Sequence, residues 1–177
     1  MHRLFVGIRP PGPVRDLLLD AMGDSDLLRW QSDEQLHLTL RFVGEVDRHI
    51  ATDLADALAR LCAPRFDARI AGIGSFDHRG SGVVWAGVEP KDMLATLAGK
   101  VERLCQTVGL APERRAFHPH ITLARWAGRR SYEVAAYLNH ARGLASTPWP
   151  VDAIVLFESQ LSRHGAHYEQ VAAYPLT

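Results

Sequence analysis

Two hydrophobic periods divide the chain into strands and helices. Short apolar or alternating runs predict strands over 4–8, 36–43, 66–73, 83–88, 117–125, 151–158 and 167–174. Apolar residues three and four positions apart predict helices over 14–22, 50–62, 94–108 and 134–141. Asp47 and Ser131 stand where helix N-caps are expected. Hairpins and helices interleaved in this way predict an α+β fold with mainly antiparallel strands.

One short motif occurs twice in the chain. His-Leu-Thr-Leu at 37–40 is followed by His-Ile-Thr-Leu at 120–123, which is 83 residues later (120 minus 37) and close to half of the 177 residues. No linker composition separates the two copies. We therefore predict one bilobal domain over residues 1–177. Its two lobes would each hold a mainly antiparallel sheet with outer helices, and the active cleft would lie between them.

The repeated motif places two imidazoles and two hydroxyls on strand faces. Side chains alternate along a strand, so His37 and Thr39 would share one face, and His120 and Thr122 would do the same in the second copy. One histidine can accept a proton while the other donates one, because imidazole titrates near neutral pH. The threonine hydroxyls can bind the oxygens of a tetrahedral anion. A phosphodiester fits this set, whereas a carbonyl substrate would need a nucleophile motif that is absent.

Three further residues near the motifs are candidates for substrate binding. Arg41 has the same alternation parity as His37 and Thr39, so it would share their face. Arg125 has the opposite parity to His120, and it reaches the substrate only if the strand carries a bulge. Phe42 can stack on a base, although core packing is the more usual role for such a residue. A basic rim around the second motif would steer RNA towards the cleft, and it comprises Arg114, Arg115, Arg129 and Arg130.

Composition and charge narrow the class of protein. Apolar residues make up 47% of the chain, and 20 basic side chains balance 20 acidic ones. A formal charge of zero argues against a broad footprint for duplex nucleic acid. Neither a signal-peptide layout nor an apolar run of membrane-spanning length occurs, so we expect a soluble, cytoplasmic protein. Cys62 and Cys105 are expected to be small buried hydrophobes rather than a disulfide or metal ligands.

The histidine pair His118 and His120 could also suggest a metal site. Two histidines one residue apart on a strand point the same way and can share a metal ion. No carboxylate or cysteine set accompanies them in the sequence, and threonine is a poor ligand for the metals that imidazole prefers. We therefore predict no metal and no cofactor.

Longer stretches around the motifs resemble one family. The segments 3–8, 37–46 and 117–125, and the closing stretch from Phe157 to Leu176, resemble the 2H phosphoesterase superfamily, and within it the RNA 2′,3′-cyclic phosphodiesterases also known as 2′-5′ RNA ligases. The resemblance implies that His120 activates water and that His37 protonates the departing 3′ oxygen, leaving a 2′-phosphate. It implies that Thr39 and Thr122 hold the phosphate oxygens.

The resemblance also bears on partners and on competing functions. It implies that the partner is an RNA end with a 2′,3′-cyclic phosphate, and that 2′-5′ ligation could occur as the reverse reaction. Separately, we expect a monomer that needs neither a membrane nor a metal. The sequence leaves two alternatives open. One is a binding module that keeps the cleft without turnover, and the other is a metal-dependent hydrolase that chelation would inactivate.

Overall fold

A computed structural model describes all residues from 1 to 177. It contains nine strands and four α-helices. In chain order these are β1 (His2–Ile8), α1 (Gly12–Asp20), β2 (Arg29–Trp30), β3 (Leu38–Val46), α2 (Arg48–Leu58), β4 (Phe66–His78), β5 (Ser81–Glu89), α3 (Lys91–Thr107), β6 (His120–Ala127), α4 (Tyr132–Ala141), β7 (Trp149–Val151), β8 (Ala153–Ser162) and β9 (Gly165–Pro175). A single 3₁₀ turn, Asp33–Gln35, precedes β3.

Every predicted strand and helix is present, and the α+β class is confirmed. Two strands were not predicted, β2 with two residues and β7 with three, because so few residues leave no readable period. The predicted caps also form: the Asp47 carboxylate accepts a hydrogen bond from Ile50 N at 2.9 Å, and the Ser131 hydroxyl accepts one from Val134 N at 3.4 Å.

All strand pairs are antiparallel, and their order is β7-β4-β5-β6-β3-β1-β8-β9, with β2 also on β6. The prediction of two separate sheets needs a correction, because this path is continuous. The join is narrow, however, since β3 meets β6 through one residue pair, Leu38 with Ile121. The strands on either side of this pair form the two lobes, each with its own helices on one face. Helices α2 and α3 pack on the first lobe, and α4 packs on the second.

The helix-covered face holds the main hydrophobic core. Alternate residues of β1 and β8, such as Val6 and Leu156, are fully buried within it. The residues between them point to the opposite face, where Phe5, Val155 and Phe157 form a second, small cluster. This second face carries the motif side chains.

The cysteine prediction is half right. Cys105 is buried on α3, and burial raises the pKa of its thiol to about 11. Cys62 is exposed, because α2 ends at Leu58 and the chain has left the helix before it reaches the cysteine. Both thiols are free. None of the helices combines the length and apolar character needed to span a membrane.

Candidate active site

The two motif copies sit at the junction of the lobes. Leu38 and Ile121 are fully buried on the core face, as are Leu123 and, almost completely, Leu40. His37, Thr39, His120 and Thr122 are half-buried on the other face. The predicted division between buried apolar side chains and polar side chains on the other face is therefore present in both copies.

The two residues of the junction pair, Leu38 and Ile121, occupy the same position in the two motif copies. Adding 83 to Leu38 gives Ile121, so each half contributes the same motif position to the join. Such a pair lies on a pseudo-twofold axis, as in a symmetric dimer interface. In the antiparallel register that it fixes, His37 lies on the side of Thr122, and Thr39 lies on the side of His120. The two motif copies therefore run past each other in opposite directions at the junction.

The backbone fixes the tautomer of both histidines in the same way. His37 Nδ1 lies 2.7 Å from the carbonyl oxygen of Gln35, and His120 Nδ1 lies 2.6 Å from that of His118. A carbonyl only accepts, so both Nδ1 atoms must carry a proton and donate it. The Nε2 atom of each neutral ring is then an acceptor. In the first copy this atom lies 3.1 Å from Thr39 Oγ1, whose hydroxyl can donate to it.

Aromatic rings surround each imidazole. The His37 ring centroid lies 4.6 Å from that of Phe5, 5.1 Å from Tyr168 and 6.0 Å from Phe157. Around His120 the neighbours are Phe76 at 5.1 Å, His118 at 6.1 Å and Trp85 at 6.2 Å. These rings exclude water from one side of each histidine and leave the charged imidazolium poorly solvated.

The aromatic surroundings set the proton affinity of the free site. Desolvation lowers the pKa of His37 to about 4, and the nearby charges of His120, Arg125 and Arg9 act in the same direction. Desolvation is also the largest cause that lowers the pKa of His120, with His118 and Arg125 contributing. Both rings are therefore neutral at pH 7 in the protein without substrate. A bound anion would favour the protonated form, and its effect is greatest where water is excluded.

A β-bulge follows the threonine in both copies. In the β1–β3 pairing Val6 is opposite Arg41 and Gly7 is opposite Thr39, so Leu40 is an extra residue. The β5–β6 pairing passes from Ala124 to Thr122 in the same way, so Leu123 is extra. A bulge of this kind reverses the face on which the following residues lie. The alternation that holds through the motif therefore fails immediately after it.

The second bulge turns Arg125 towards the candidate site. Its side chain is exposed, whereas Leu123, Ala124 and Trp126 are buried. Its charge is among the causes that lower the pKa of both motif histidines. From the sequence, Arg125 reaches the substrate only if the strand carries a bulge, and this bulge is present.

The first bulge turns Arg41 away, and the prediction that it shares the face of His37 is wrong. Its guanidinium pairs with Glu102 of α3. It also donates to the carbonyl oxygens of Phe42 on β3 and of Ala111, which follows α3. The side chain is 10% exposed. Protein groups engage its donors, so the arginine connects β3 to α3 and to the segment before the second motif.

Phe42 and the basic rim lie at the protein surface. Phe42 is 37% exposed, and the Arg3 guanidinium lies 5.3 Å from its ring centroid, on the face that carries Phe5. Within the rim, Arg115 is paired with Glu113 at 3.1 Å, and Arg130 lies 3.6 Å from Asp77. Arg114 and Arg129 are exposed. RNA steering by this rim stays a prediction.

His118 lies beside His120 but belongs to the aromatic wall. Its ring is 4.8 Å from Trp85 and 5.3 Å from Phe76, between ring centroids. No group of three histidine, cysteine, aspartate or glutamate side chains converges anywhere in the structure. Sequence reasoning did not identify the wall residues Phe5, Phe76, Phe157 and Tyr168. Their alternation in separate strands was visible, but long-range strand pairing brings them to the histidines.

Comparison with known proteins identifies the family. The family model of the 2′-5′ RNA ligase superfamily matches residues 12–163. The chain is 36% identical over 140 residues to the RNA 2′,3′-cyclic phosphodiesterase of Aeropyrum pernix, an alignment that covers 77% of this chain and 80% of that protein. The chain therefore belongs to the 2′-5′ RNA ligase superfamily, and the resemblance to 2H phosphoesterases is confirmed.

Solved structures agree with this assignment. The protein TT0787 of Thermus thermophilus aligns with a TM-score of 0.81 and 26% identity, over 98% of this chain and 97% of that one. E. coli LigT, solved as a complex with 3′-AMP, aligns with a TM-score of 0.81 and 26% identity, over 99% and 98% of the two chains. The fold described above is therefore that of known members.

Proposed function

We propose that this protein hydrolyses RNA 2′,3′-cyclic phosphodiester ends to 2′-phosphomonoesters, without a metal ion, as a cytoplasmic monomer. The named activity of its relative from Aeropyrum pernix supports the reaction class. The observation that carries the proposal is the matched pair of imidazoles, each with Nδ1 donating to a backbone carbonyl and Nε2 left for chemistry. Such a pair supplies one general base and one general acid.

The reaction breaks one P–O bond and forms another. His120 Nε2 accepts a proton from water as its oxygen attacks phosphorus. His37, protonated at Nε2, donates its proton to the departing 3′ oxygen. Attacking and leaving oxygens lie roughly in line in such displacements, so the two histidines would act on opposite sides of the phosphate. The product is a 2′-phosphate with a free 3′ hydroxyl. His120 then releases its proton to solvent and His37 takes one up, which restores both rings.

The low pKa of His37 fits the donor role once substrate is bound. The cyclic phosphate carries one negative charge and would lie between the two rings. Since His37 occupies the more strongly desolvating environment, an opposite charge there stabilises its imidazolium strongly. Substrate binding and proton uptake would then be coupled. The free protein would hold both rings neutral and avoid an isolated buried charge.

The hydroxyls and Arg125 would hold the non-bridging phosphate oxygens. Thr39 can turn its hydroxyl from His37 Nε2 towards the phosphate when the ring becomes protonated. Thr122 is the corresponding donor from the other lobe. The Arg125 guanidinium, turned to the same face by the bulge, would neutralise charge that develops in the transition state. The same groups would catalyse 2′-5′ ligation in the reverse direction.

The experiment is turnover of an RNA oligonucleotide with a 2′,3′-cyclic phosphate end, in EDTA, by wild type, His37→Ala and His120→Ala. We expect a 2′-phosphate product from wild type and a loss on the order of 1,000-fold or more in each variant. A wild type that binds the oligonucleotide without turnover would indicate a binding module instead. Loss of activity in EDTA with recovery on added metal would indicate a metal-dependent hydrolase.

A further inference from the structure

The short strand β2 brings a further arginine, Arg29, to the junction of the lobes. Arg29 is directly opposite Arg125 in the antiparallel register of β2 and β6. Strand β5 pairs with β6 from His120 to Ala127 along one edge, so β2 must lie along the other edge, where β3 also joins. Arg29 therefore lies on the same side of β6 as the first motif.

The strand register places the Arg29 side chain on the face of the motif side chains. Residues directly opposite each other in antiparallel strands point to the same face. One row of such residues crosses β4, β5, β6 and β2, and it comprises Phe76, Val83, Arg125 and Arg29. The Phe76 ring lies 5.1 Å from the His120 ring between centroids, so the whole row belongs to the face of the candidate active site.

The next residue of β2 supports the same orientation. The Trp30 ring lies 5.0 Å from the ring of Tyr137, which belongs to α4 on the helix-covered face. Successive side chains of a strand point to opposite faces, so Arg29 is directed away from the helices. Two independent contacts, one on each face, thus give the same position for the Arg29 side chain.

Arg29 and Arg125 place two like charges side by side. Residues that are directly opposite in an antiparallel pair lie roughly 5 Å apart. Both side chains are exposed, and neither forms an ion pair with a carboxylate of the protein. Like charges in this position destabilise a strand pair, and bound anions would remove the repulsion. The pair is therefore suited to two neighbouring phosphates of one chain.

The proposed reaction places a second phosphate on the side of Arg29. This step rests on the proposed function, with His37 as the proton donor. The leaving 3′ oxygen stays attached to the terminal ribose, so this ribose lies on the side of His37, and the incoming water lies towards His120. The phosphate that links the last two nucleotides is attached to the 5′ oxygen of the same ribose. A single sugar thus separates it from the cyclic phosphate.

We propose that Arg29 binds the phosphate that links the last two nucleotides of the RNA, while Arg125 binds the cyclic phosphate. A guanidinium can donate two parallel hydrogen bonds to the oxygens of one phosphate. Arg29 would make the enzyme prefer an RNA end to a free nucleoside 2′,3′-cyclic phosphate, which lacks this group. Contacts to phosphate carry no base information, so the preference would not depend on the RNA sequence.

The test uses two RNA oligonucleotides that end in a 2′,3′-cyclic phosphate and differ only in their last internucleotide linkage. One has a phosphodiester at this linkage. The other has a methylphosphonate, which removes the negative charge and keeps nearly the same shape. We expect wild type to prefer the charged linkage about tenfold in kcat/KM, mainly through KM, because a charge-assisted hydrogen bond to the phosphate is lost in the neutral one.

Variants of Arg29 should change this preference. Arg29→Gln should abolish it, and Arg29→Lys should keep part of it, because lysine retains the charge without the paired donors. Arg103→Gln is the matched control and should keep the wild-type preference, since it removes the same charge from an exposed position on α3. An equal slowing of both oligonucleotides in Arg29→Gln would overturn the proposal, because a merely structural role would affect both.

Binding of the product oligonucleotides provides a readout that needs no turnover. These RNAs end in a 2′-phosphate and carry either linkage, and fluorescence anisotropy gives their Kd at several salt concentrations. The slope of log Kd against log salt should decrease by about 0.7 in Arg29→Gln, for the phosphodiester only, because one phosphate contact is lost. A wild type that binds both linkages equally would overturn the proposal. An Arg29-dependent binding preference without turnover would remove the proposed function alone.

Discussion

Leu38 and Ile121 form the one residue pair through which β3 meets β6, and each is the counterpart of the other in the repeat. Both side chains are fully buried, so the join is held on the core face. In each motif this residue stands between the histidine and the threonine, whose side chains point to the opposite face. The spacing between the catalytic candidates of the two lobes is therefore set at a single point, and perturbation of that point should reach all four of them.

Gly7 offers a way to perturb the junction. A Cβ atom at this position would lie 2.6 Å from the Leu38 carbonyl oxygen, which is backbone and cannot move without displacing the first motif. Gly7→Ala should destabilise the protein by about 1–3 kcal/mol and lower kcat with a smaller change in KM. Urea unfolding and steady-state kinetics check this. Gly12→Ala is the control, because its Cβ would meet no atom within 4 Å, and equal effects of both changes would contradict the expectation.

Arg125 should affect both the rate and the histidine titrations. Arg125→Gln should lower kcat/KM on the order of 100-fold, because a charge that stabilises the transition state is lost. The same change should raise the pKa of His37 and of His120, since the arginine charge lowers both. Ring-proton NMR titration measures this. Arg69→Gln, which alters an exposed arginine paired with Glu89, should leave both quantities unchanged. An Arg125→Gln protein with wild-type titrations would show that Arg125 does not face the histidines.

His37 should make the stability of the fold depend on pH. Its pKa is about 4 in the folded protein and near the ordinary 6.5 in the unfolded chain, so the unfolded chain binds more protons between these values. Stability should fall as the pH drops from 6.5 to 4, by at most about 1.4 kcal/mol per pH unit from this group. Urea unfolding at pH 7 and pH 5 measures the difference. His37→Gln should reduce it, and an unchanged difference in that variant would assign the effect to other groups.

Conservative replacements should distinguish the role of the two threonine hydroxyls from the role of side-chain shape. Thr39→Ser and Thr122→Ser keep the hydroxyl and should retain most activity. Thr39→Val and Thr122→Val keep the shape without the donor, and each should reduce kcat about 10- to 100-fold. Single-turnover kinetics with the cyclic-phosphate oligonucleotide distinguishes these changes from slow product release. Valine variants with wild-type single-turnover rates would exclude phosphate binding by these hydroxyls.

The sequence was sufficient for the four helices, for every strand except the short β2 and β7, and for the motif faces, and local physics explains why. Strand alternation held for His37 through Leu40 and for the second copy, because the apolar residue of each pair is buried. The inference failed one residue later, where the bulges at Leu40 and Leu123 reverse the alternation. A bulge depends on pairing with a neighbouring strand, so Arg41 and Arg125 could not be placed from spacing alone.

The aromatic wall around His37 was beyond sequence reasoning for a similar reason. Phe5 lies on β1, whereas Phe157 and Tyr168 lie on the β8–β9 hairpin near the other end of the chain, and β8 is next to β1 in the sheet. Their contact with His37 follows from strand order, which a single sequence does not specify. The proton affinity of His37 follows from those contacts, and so could not be predicted either.

Arg41 and Glu102 should act as positioning residues for the second motif. Arg41 on β3 binds Glu102 of α3 and the Ala111 carbonyl oxygen, and the other Glu102 oxygen accepts from Glu113 N at 3.0 Å. The pair thus fastens the segment that leads into His118 and His120 to the strand of the first motif. These side chains are 10% and 21% exposed, so the loss of one partner leaves a largely buried charge.

Glu102→Gln should therefore cost about 2 kcal/mol of stability and reduce kcat more than it changes KM, since His120 would be displaced while the phosphate donors remain. An Arg41→Gln variant should behave alike. The double variant should lose less free energy of unfolding than the sum of the losses in the two single variants. Urea unfolding and steady-state kinetics measure the cycle. Arg69→Gln, which removes an exposed pair with Glu89, is the control. Direct substrate binding by Arg41 would instead raise KM in Arg41→Gln without a matching effect in Glu102→Gln.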